Sequence, residues 1–300
     1  EDNQVAREDS HRRERSHEVI FWLLFLTVEL GVLFAVAALW KVTGGESVVY
    51  LFGSVHLLPE GGFEVSGRLA DALADSDRVC LEIDPGATDE AATTSITLAR
   101  AIDPEGRDLF ELLGSDADRV RSKAEDAGVE LAPLAMFEPW FAGLMVSVMA
   151  LQSHGYDAQH GVEQVIEAEA KKAGKASCGL ETLDGQLGML DGLSGDLRTE
   201  ILMQSIDEAA GIESKVGPMV AAWRDGDERG LERSVEDDFD GYPELADILI
   251  FERNARWAGQ VAKMLEGDED VLLVVGAMHL VGDRGLPALL EKRGYRVERR

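Results

Sequence analysis

One short pattern occurs twice in the chain, and it constrains the fold more than any other feature. The apolar run 48–52 leads into a Gly-x-x-His sequence that ends at His56, and the run 271–275 leads into a second one that ends at His279. Continuous apolar, largely β-branched runs of this length indicate strands buried on both faces. The glycine at each strand end permits a tight turn or a close backbone approach.

Each copy of the pattern continues in the same way. A helix-like segment follows (65–74 and 286–293), and then a second strand candidate (79–84 and 295–299). We therefore predict an α/β fold with a central mixed β-sheet built from two strand–GxxH–helix–strand units, and a large helical insertion between about residues 87 and 265. Because α/β sheets bind ligands beyond the carboxyl ends of their strands, two such units bring two imidazoles to one crevice.

Acidic residues outnumber basic ones by a wide margin. The 300 residues include 57 Asp and Glu against 29 Lys and Arg, which gives a net charge of -28. A nucleic-acid binder must neutralise phosphates with basic side chains. The composition therefore excludes nucleic acid as a partner, and a peptide or small-molecule substrate is expected instead.

The N-terminal region predicts export. Residues 1–17 are polar, and residues 18–37 form an almost wholly apolar segment that is long enough to cross a bilayer. This segment ends in Ala-Val-Ala, the small-x-small pattern of a signal-peptidase site. We interpret it as a signal peptide or a membrane anchor. Residues 38–300 are then one domain, periplasmic or extracellular, or held at the membrane by the apolar segment alone.

His56 and His279 are the first candidates for chemistry, because they occupy matching positions in the two units. Neutral imidazole is a common metal ligand and the usual general base near neutral pH. A hydrogen-bonded core histidine is the alternative. Two carboxylates are the next candidates: Glu82 lies inside a strand candidate, and Glu181 ends another. Buried carboxylates must be paired, hydrogen-bonded or metal-bound, so a structural salt bridge is the alternative for both.

The helix predicted over residues 243–265 adds two further candidates. Ile250, Asn254 and Trp257 share one face of this helix by their spacing, which places the Asn254 amide on the buried stripe and Arg253 at its edge. A buried amide needs specific hydrogen-bond partners, and capping a neighbouring loop is the alternative role.

Two further expectations concern the core. Residues 139–151 are apolar on every side, which predicts a buried central helix. Cys80 and Cys178 each lie inside an apolar strand candidate, and we expect them to be buried free thiols rather than a disulfide.

Several stretches together resemble the TraB/GumN family, which is related to the TIKI metalloproteases. The matching stretches are Ala38–Val42, Tyr50–Leu57, Gly179–Thr182, Arg253–Asn254 and Gly276–Leu286. The resemblance covers roughly residues 38 to 300, with Ser54 where a threonine is more usual.

The resemblance implies an exported or membrane-tethered protein with a divalent-metal-dependent hydrolytic site. The residues of this chain that match the family's motifs, and that the resemblance therefore assigns to the site, are His56, Glu82, Glu181, Arg253, Asn254 and His279. The family often has aspartate at the position of Glu163, and we leave Glu163 outside the site.

The function expected from this resemblance is metal-dependent hydrolysis of a peptide or amide bond. His56 and His279, with Glu181 or Glu82, would hold a Zn, Mn or Co ion and leave a position open for water. The remaining carboxylate would be the general base, while Arg253 and its neighbour would stabilise the oxyanion or orient the substrate. The alternatives are a non-catalytic binder of haem or a peptide signal, and an accessory protein of the cell envelope, such as one in polysaccharide export.

Overall fold

The computed structural model describes residues 38–239 and 241–300. The predicted signal or anchor segment, residues 18–37, lies outside the described residues. Within the described part, none of the helices combines the length and the hydropathy needed to cross a bilayer.

Six strands form one mixed sheet. They are β1 (Leu39–Thr43), β2 (Val49–Ser54), β3 (Arg78–Ile83), β4 (Ala176–Glu181), β5 (Val271–Gly276) and β6 (Arg296–Arg299). Their order is β4-β3-β5-β2-β1-β6. Strands β4, β3, β5 and β2 run parallel to one another, whereas β1 is antiparallel to both β2 and β6. Every residue of β2 is buried, as its continuous apolar run predicts.

The helices lie before, within and after the long segment that joins β3 to β5. They are α1 (Gly67–Asp75), α2 (Glu90–Ala101), α3 (Leu109–Leu113), α4 (Ala117–Ala127), α5 (Pro139–Ser153), α6 (Val162–Lys172), α7 (Leu183–Asp191), α8 (Gly195–Ala209), α9 (Ile212–Asp225), α10 (Glu228–Asp238), α11 (Pro243–Ala246), α12 (Glu252–Leu265) and α13 (Leu286–Lys292). A π-helical turn, Asp247–Phe251, joins α11 to α12.

Both faces of the sheet are covered, because alternate residues of the central strands point to opposite sides. On one face, Phe52 and Val274 belong to a cluster with residues of α1, α6, α9 and α10. On the other, Leu51 and Leu273 belong to a cluster with residues of α12 and α13. Helices α3, α4, α5 and α8 share a separate apolar core.

The predicted α/β fold with a mixed sheet and a large helical part is confirmed. The two predicted units correspond to β2–α1–β3 and to β5–α13–β6. The helical insertion lies between β3 and β5 and also contributes β4 to the edge of the sheet.

Helix α5 is less buried than its sequence predicts. Trp140, Ala142 and Val146 are buried, but Leu144 is 41% exposed and Met149 is 47% exposed. Helix α5 packs mainly on α8, whereas Leu144 and Met149 each line a cavity at its surface. The prediction of a helix buried on all sides is therefore wrong.

The prediction of free thiols is also wrong, because Cys80 and Cys178 form a disulfide. Strands β3 and β4 are parallel neighbours, and their register sets Cys80 opposite Cys178. The two Cα atoms are 4.4 Å apart, a separation that a disulfide can span.

Candidate functional site

The predicted site residues lie along one edge of the sheet. Parallel strands end at the same edge, and the order β4-β3-β5-β2 sets their carboxyl ends side by side. Glu181 ends β4, Glu82 is the penultimate residue of β3, His279 lies in the 3-10 turn after β5, and His56 follows β2. The sheet therefore brings both imidazoles and both carboxylates to a single row.

Arg253 joins the members of this row. Its Nε donates to Oε2 of Glu181 at 3.0 Å, its Nη2 to Oε2 of Glu82 at 2.5 Å, and its Nη1 approaches Nε2 of His279 at 3.2 Å. Nη1 also donates to the carbonyl oxygen of Leu249 at 3.0 Å. Arg253 is buried, and these four contacts occupy most of its donors. Its guanidinium therefore acts as a clamp between strand ends.

Asn254 fixes the tautomer of His279. The amide oxygen of Asn254 lies 2.7 Å from Nδ1 of His279, and its amide nitrogen donates to the carbonyl oxygen of Arg284 at 2.9 Å. Because an amide oxygen only accepts, Nδ1 carries the proton, and the Nε2 lone pair faces Arg253. Burial and the charges of Arg253 and His56 lower the pKa of His279 to about 3, despite the opposing charge of Glu82. His279 is thus neutral at neutral pH.

Glu82 is held from several sides. The backbone N–H of Gly276 donates to its Oε1 at 2.7 Å, and Gln186 donates to its Oε2 at 3.1 Å. Burial raises the pKa of Glu82, but His279, Arg253, His56 and the Gly276 N–H together outweigh burial and bring that pKa to about 2. Glu82 is therefore an ionised carboxylate at neutral pH.

His56 is the accessible member of the site, with 61% of its side chain exposed. Its Nδ1 lies 2.6 Å from Oε1 of Glu163, and Ser54 donates to the same oxygen at 2.5 Å. Partial burial lowers the pKa of His56, but the hydrogen bond and the charge of Glu163, together with the charge of Glu82, raise it from 6.5 to about 9. This pair resembles the imidazole–carboxylate pairs that transfer protons in hydrolases.

Glu163 belongs to the site, although the sequence predicts it to lie outside. Glu163 reaches His56 because the N-terminus of α6 packs on the end of β2. There the N–H of Val162 donates to the carbonyl oxygen of Val55 at 3.1 Å. A β-carbon on Gly161 would lie 2.2 Å from the carbonyl oxygen of His56, so only glycine permits this approach. The signal in the sequence was the acidic residue two positions after Gly161.

Three groups of the site surround the α-carbon of Gly276. A β-carbon added to Gly276 would lie 3.4 Å from Oε1 of Glu82, 3.5 Å from Cδ2 of His279 and 3.8 Å from Nε2 of His56. We call this space, bounded by Gly276, Glu82, His279 and His56, the Gly276 cradle. It sets an ionised carboxylate and an accessible imidazole around one point.

The predicted ligand set His56, His279 and Glu181 does not fit a metal ion in this arrangement. Both carboxylate oxygens of Glu181 contact arginines, Arg253 at 3.0 Å and Arg256 at 3.3 Å. The Nε2 lone pair of His279 also faces a guanidinium. Over residues 38–239 and 241–300, no group of three or more His, Cys, Asp or Glu side chains is arranged to hold a metal. The metal stays a prediction.

Comparison with known proteins gives one match. The model of the TraB/PrgY/gumN family matches residues 38–299. No curated protein and no solved structure matches the chain.

Proposed function

Because the chain belongs to the TraB/PrgY/gumN family, we propose that it is a hydrolase of amide or ester bonds whose reacting centre is the Gly276 cradle. The observation that carries this proposal is the pairing of an exposed imidazole, His56, with the carboxylate of Glu163, while its Nε2 borders the same cradle as Oε1 of the ionised Glu82. An acid–base residue needs a substrate-facing nitrogen and a partner that fixes its tautomer, and His56 has both.

In the proposed mechanism, water occupies the cradle between Oε1 of Glu82 and Nε2 of His56. Neutral His56 takes a proton from the water, and at the same time the oxygen of that water bonds to the carbonyl carbon of the substrate. The Nδ1 proton stays on His56, where it is donated to Glu163, and the charge of Glu163 stabilises the imidazolium. His56 then gives its proton to the leaving nitrogen or oxygen as the bond to carbon breaks. Glu82 stays ionised and offsets the charge on His56.

Arg253 and Asn254 have a positioning role in this mechanism. The donors of Arg253 are directed at Glu82, Glu181, His279 and a backbone carbonyl, and Asn254 orients His279. The proposed mechanism does not use either residue as a donor to an oxyanion, and their predicted role in stabilising an oxyanion or orienting the substrate stays a prediction.

The test is a library of chromogenic esters and amides, assayed with the purified full chain. We expect turnover by the unchanged protein and a loss of about 10²–10⁴-fold in His56→Gln. His154→Gln is the matched control, because His154 is also exposed but bonds only to its own helix and the adjacent serine. Equal rates in the three proteins would refute the proposal.

The pH dependence of kcat/KM tests the role of His56 as a base. Only neutral His56 accepts a proton from water, and its pKa is raised to about 9. Activity is therefore expected to rise from pH 7 towards pH 9 and to level off above it. A rate that falls over the same range would show that the protonated form is the active one.

Removal of metal tests the divalent-ion prediction. A metal bound to Nε2 of His279 must displace Arg253, so we expect dialysis against a chelator to leave hydrolysis unchanged. Metal analysis of the dialysed protein is the control. A loss of activity that Zn, Mn or Co restores would support the metal-dependent mechanism and contradict the present one.

Substitution of Gly276 by alanine tests the cradle directly. The backbone angles of Gly276, φ -50° and ψ 136°, suit any residue, and the new methyl group would make ordinary contacts of 3.4–3.8 Å. We expect a nearly unchanged melting temperature with a loss of activity on the order of 10²-fold, because the methyl group displaces the reacting water. Gly217→Ala, which fills open space on α9, should leave activity unchanged. Full activity in Gly276→Ala would place the reacting centre elsewhere.

We also propose that the folded part works outside the cytoplasm. The disulfide supports this, because such bonds persist mainly in oxidising compartments. Fractionation of cells is the test, and intact full-length protein in the soluble cytoplasmic fraction would contradict it.

A further inference from the structure

A cavity of about 550 Å³ opens in the helical part, beside α5, α8, α9 and the π-helical turn. Its walls are mostly apolar and include Trp140, Leu144, Ile201, Met219 and Leu249. None of these residues belongs to the Gly276 cradle. The size and lining are those of a binding site for a small molecule or for part of a larger one.

Two separate elements connect this cavity to the reacting centre. On α7, Gln186 donates to Glu82, and Leu190, four residues later, lines the cavity. Leu249 lines the cavity, and Arg253, again four residues later, clamps Glu82. Side chains four apart on a helix are neighbours on one face, with Cβ atoms about 5–6 Å apart. Leu190 and Leu249 at the cavity wall therefore each lie about one helical turn from a residue, Gln186 or Arg253, whose side chain contacts Glu82.

The polar groups around the cavity restrict what it can bind. Glu208, Asp237 and Asp238 all line it, and the one lysine beside them, Lys215, pairs with Glu208 at 2.5 Å. This acidic lining repels anionic ligands.

We infer that the cavity binds a neutral aliphatic acyl chain, attached to the carbonyl that is cleaved in the Gly276 cradle. This inference rests on the proposed hydrolase function, and it names the substrate class as esters or amides of aliphatic acids. The apolar walls bind the chain, and the acidic lining excludes free fatty carboxylates. The carbonyl end of the bound chain extends past Gln186 and Arg253, the two side chains that contact Glu82, to the reacting water.

The test measures binding rather than cleavage. Methyl ketones carry the same chain and carbonyl but have no leaving group, so 2-pentanone and 2-nonanone are titrated into the full chain by calorimetry. The four additional methylenes of 2-nonanone should tighten binding on the order of 10²-fold. Leu144→Asp should weaken 2-nonanone binding at least tenfold. Met149→Asp should leave 2-nonanone binding unchanged, because Met149 does not line the cavity. It is a matched control, since it lies on the same helix with similar exposure.

Two results would overturn the inference. One is equal affinity for the two ketones, and the other is an equal loss of affinity in the two aspartate variants with unchanged melting temperatures. Tighter binding of N-acetyl-leucyl-leucine amide than of 2-nonanone would instead identify an apolar peptide as the ligand. The failures are distinguishable: a protein that binds 2-nonanone but cleaves nothing refutes the hydrolase, whereas one that cleaves short and long acyl esters equally refutes the acyl chain.

Discussion

Arg253→Met should lower the free energy of unfolding by about 3–5 kcal/mol. Arg253 is only 6% exposed, and its guanidinium pairs with two largely buried carboxylates, Glu82 and Glu181. Methionine fills similar space but leaves both carboxylates without this charge partner. An uncompensated buried charge costs several kcal/mol, which is why one removed partner has so large an effect. Unfolding by urea, followed by circular dichroism, measures the difference.

Arg256→Met is the matched control for this change. Arg256 lies three residues further along α12, 50% of its side chain is exposed, and it contacts Glu181 at 3.3 Å. Exposed ion pairs contribute about 0–1 kcal/mol, so a loss within that range is expected. Arg253→Lys should lie between the two, because lysine keeps the charge but cannot bridge two carboxylates with a planar fork. Equal losses in the two methionine variants would show that burial of the clamp does not matter.

Glu82→Gln should lower kcat/KM by about 10²–10³-fold, with a smaller loss of stability than Arg253→Met causes. Glutamine keeps the shape of the side chain but removes the charge that orients the water and stabilises protonated His56. Arg253 still pairs with Glu181, so the clamp keeps one carboxylate. Activity on the best library substrate and the melting temperature are measured on the same preparation.

Glu181→Gln separates this mechanism from the ligand role that the sequence suggested. Glu181 contacts the same arginine, but it does not border the Gly276 cradle. We expect a loss of activity below about tenfold, because the change weakens the clamp without touching the reacting water. A loss as large as that of Glu82→Gln would favour Glu181 as the metal ligand or general base.

The sequence predicted the architecture because its strongest signals are local. Two apolar runs that each end in Gly-x-x-His specify buried strands, and the helix-like segment after each run specifies the crossover. The order of the strands is not local information. The pairing of β3 with β4, which sets Cys80 opposite Cys178, depends on where the insertion returns to the sheet. The disulfide was therefore missed, even though both strands were predicted.

The site was predicted in part for the same reason. His56, Glu82 and His279 follow from strand ends, and parallel strands bring such ends together. The role of Arg253 depends on the register of α12 against three strand ends, which periodicity does not specify. Glu163 depends on the packing of one helix N-terminus on the residues after β2. Tertiary contacts of this kind set the partner and the burial of each imidazole, which together with nearby charges set its pKa.

The link between Cys80 and Cys178 closes a covalent ring around the 97 residues between them, for the two cysteines are 98 positions apart. Helices α2 to α6 lie inside this ring, and so does Glu163. A protease that cuts one exposed loop of the ring cannot release a fragment, because each piece keeps one cysteine of the bond. Glu163 then stays tethered to the sheet that carries His56. A nicked molecule would thus migrate as an intact chain until a reductant separates its two pieces.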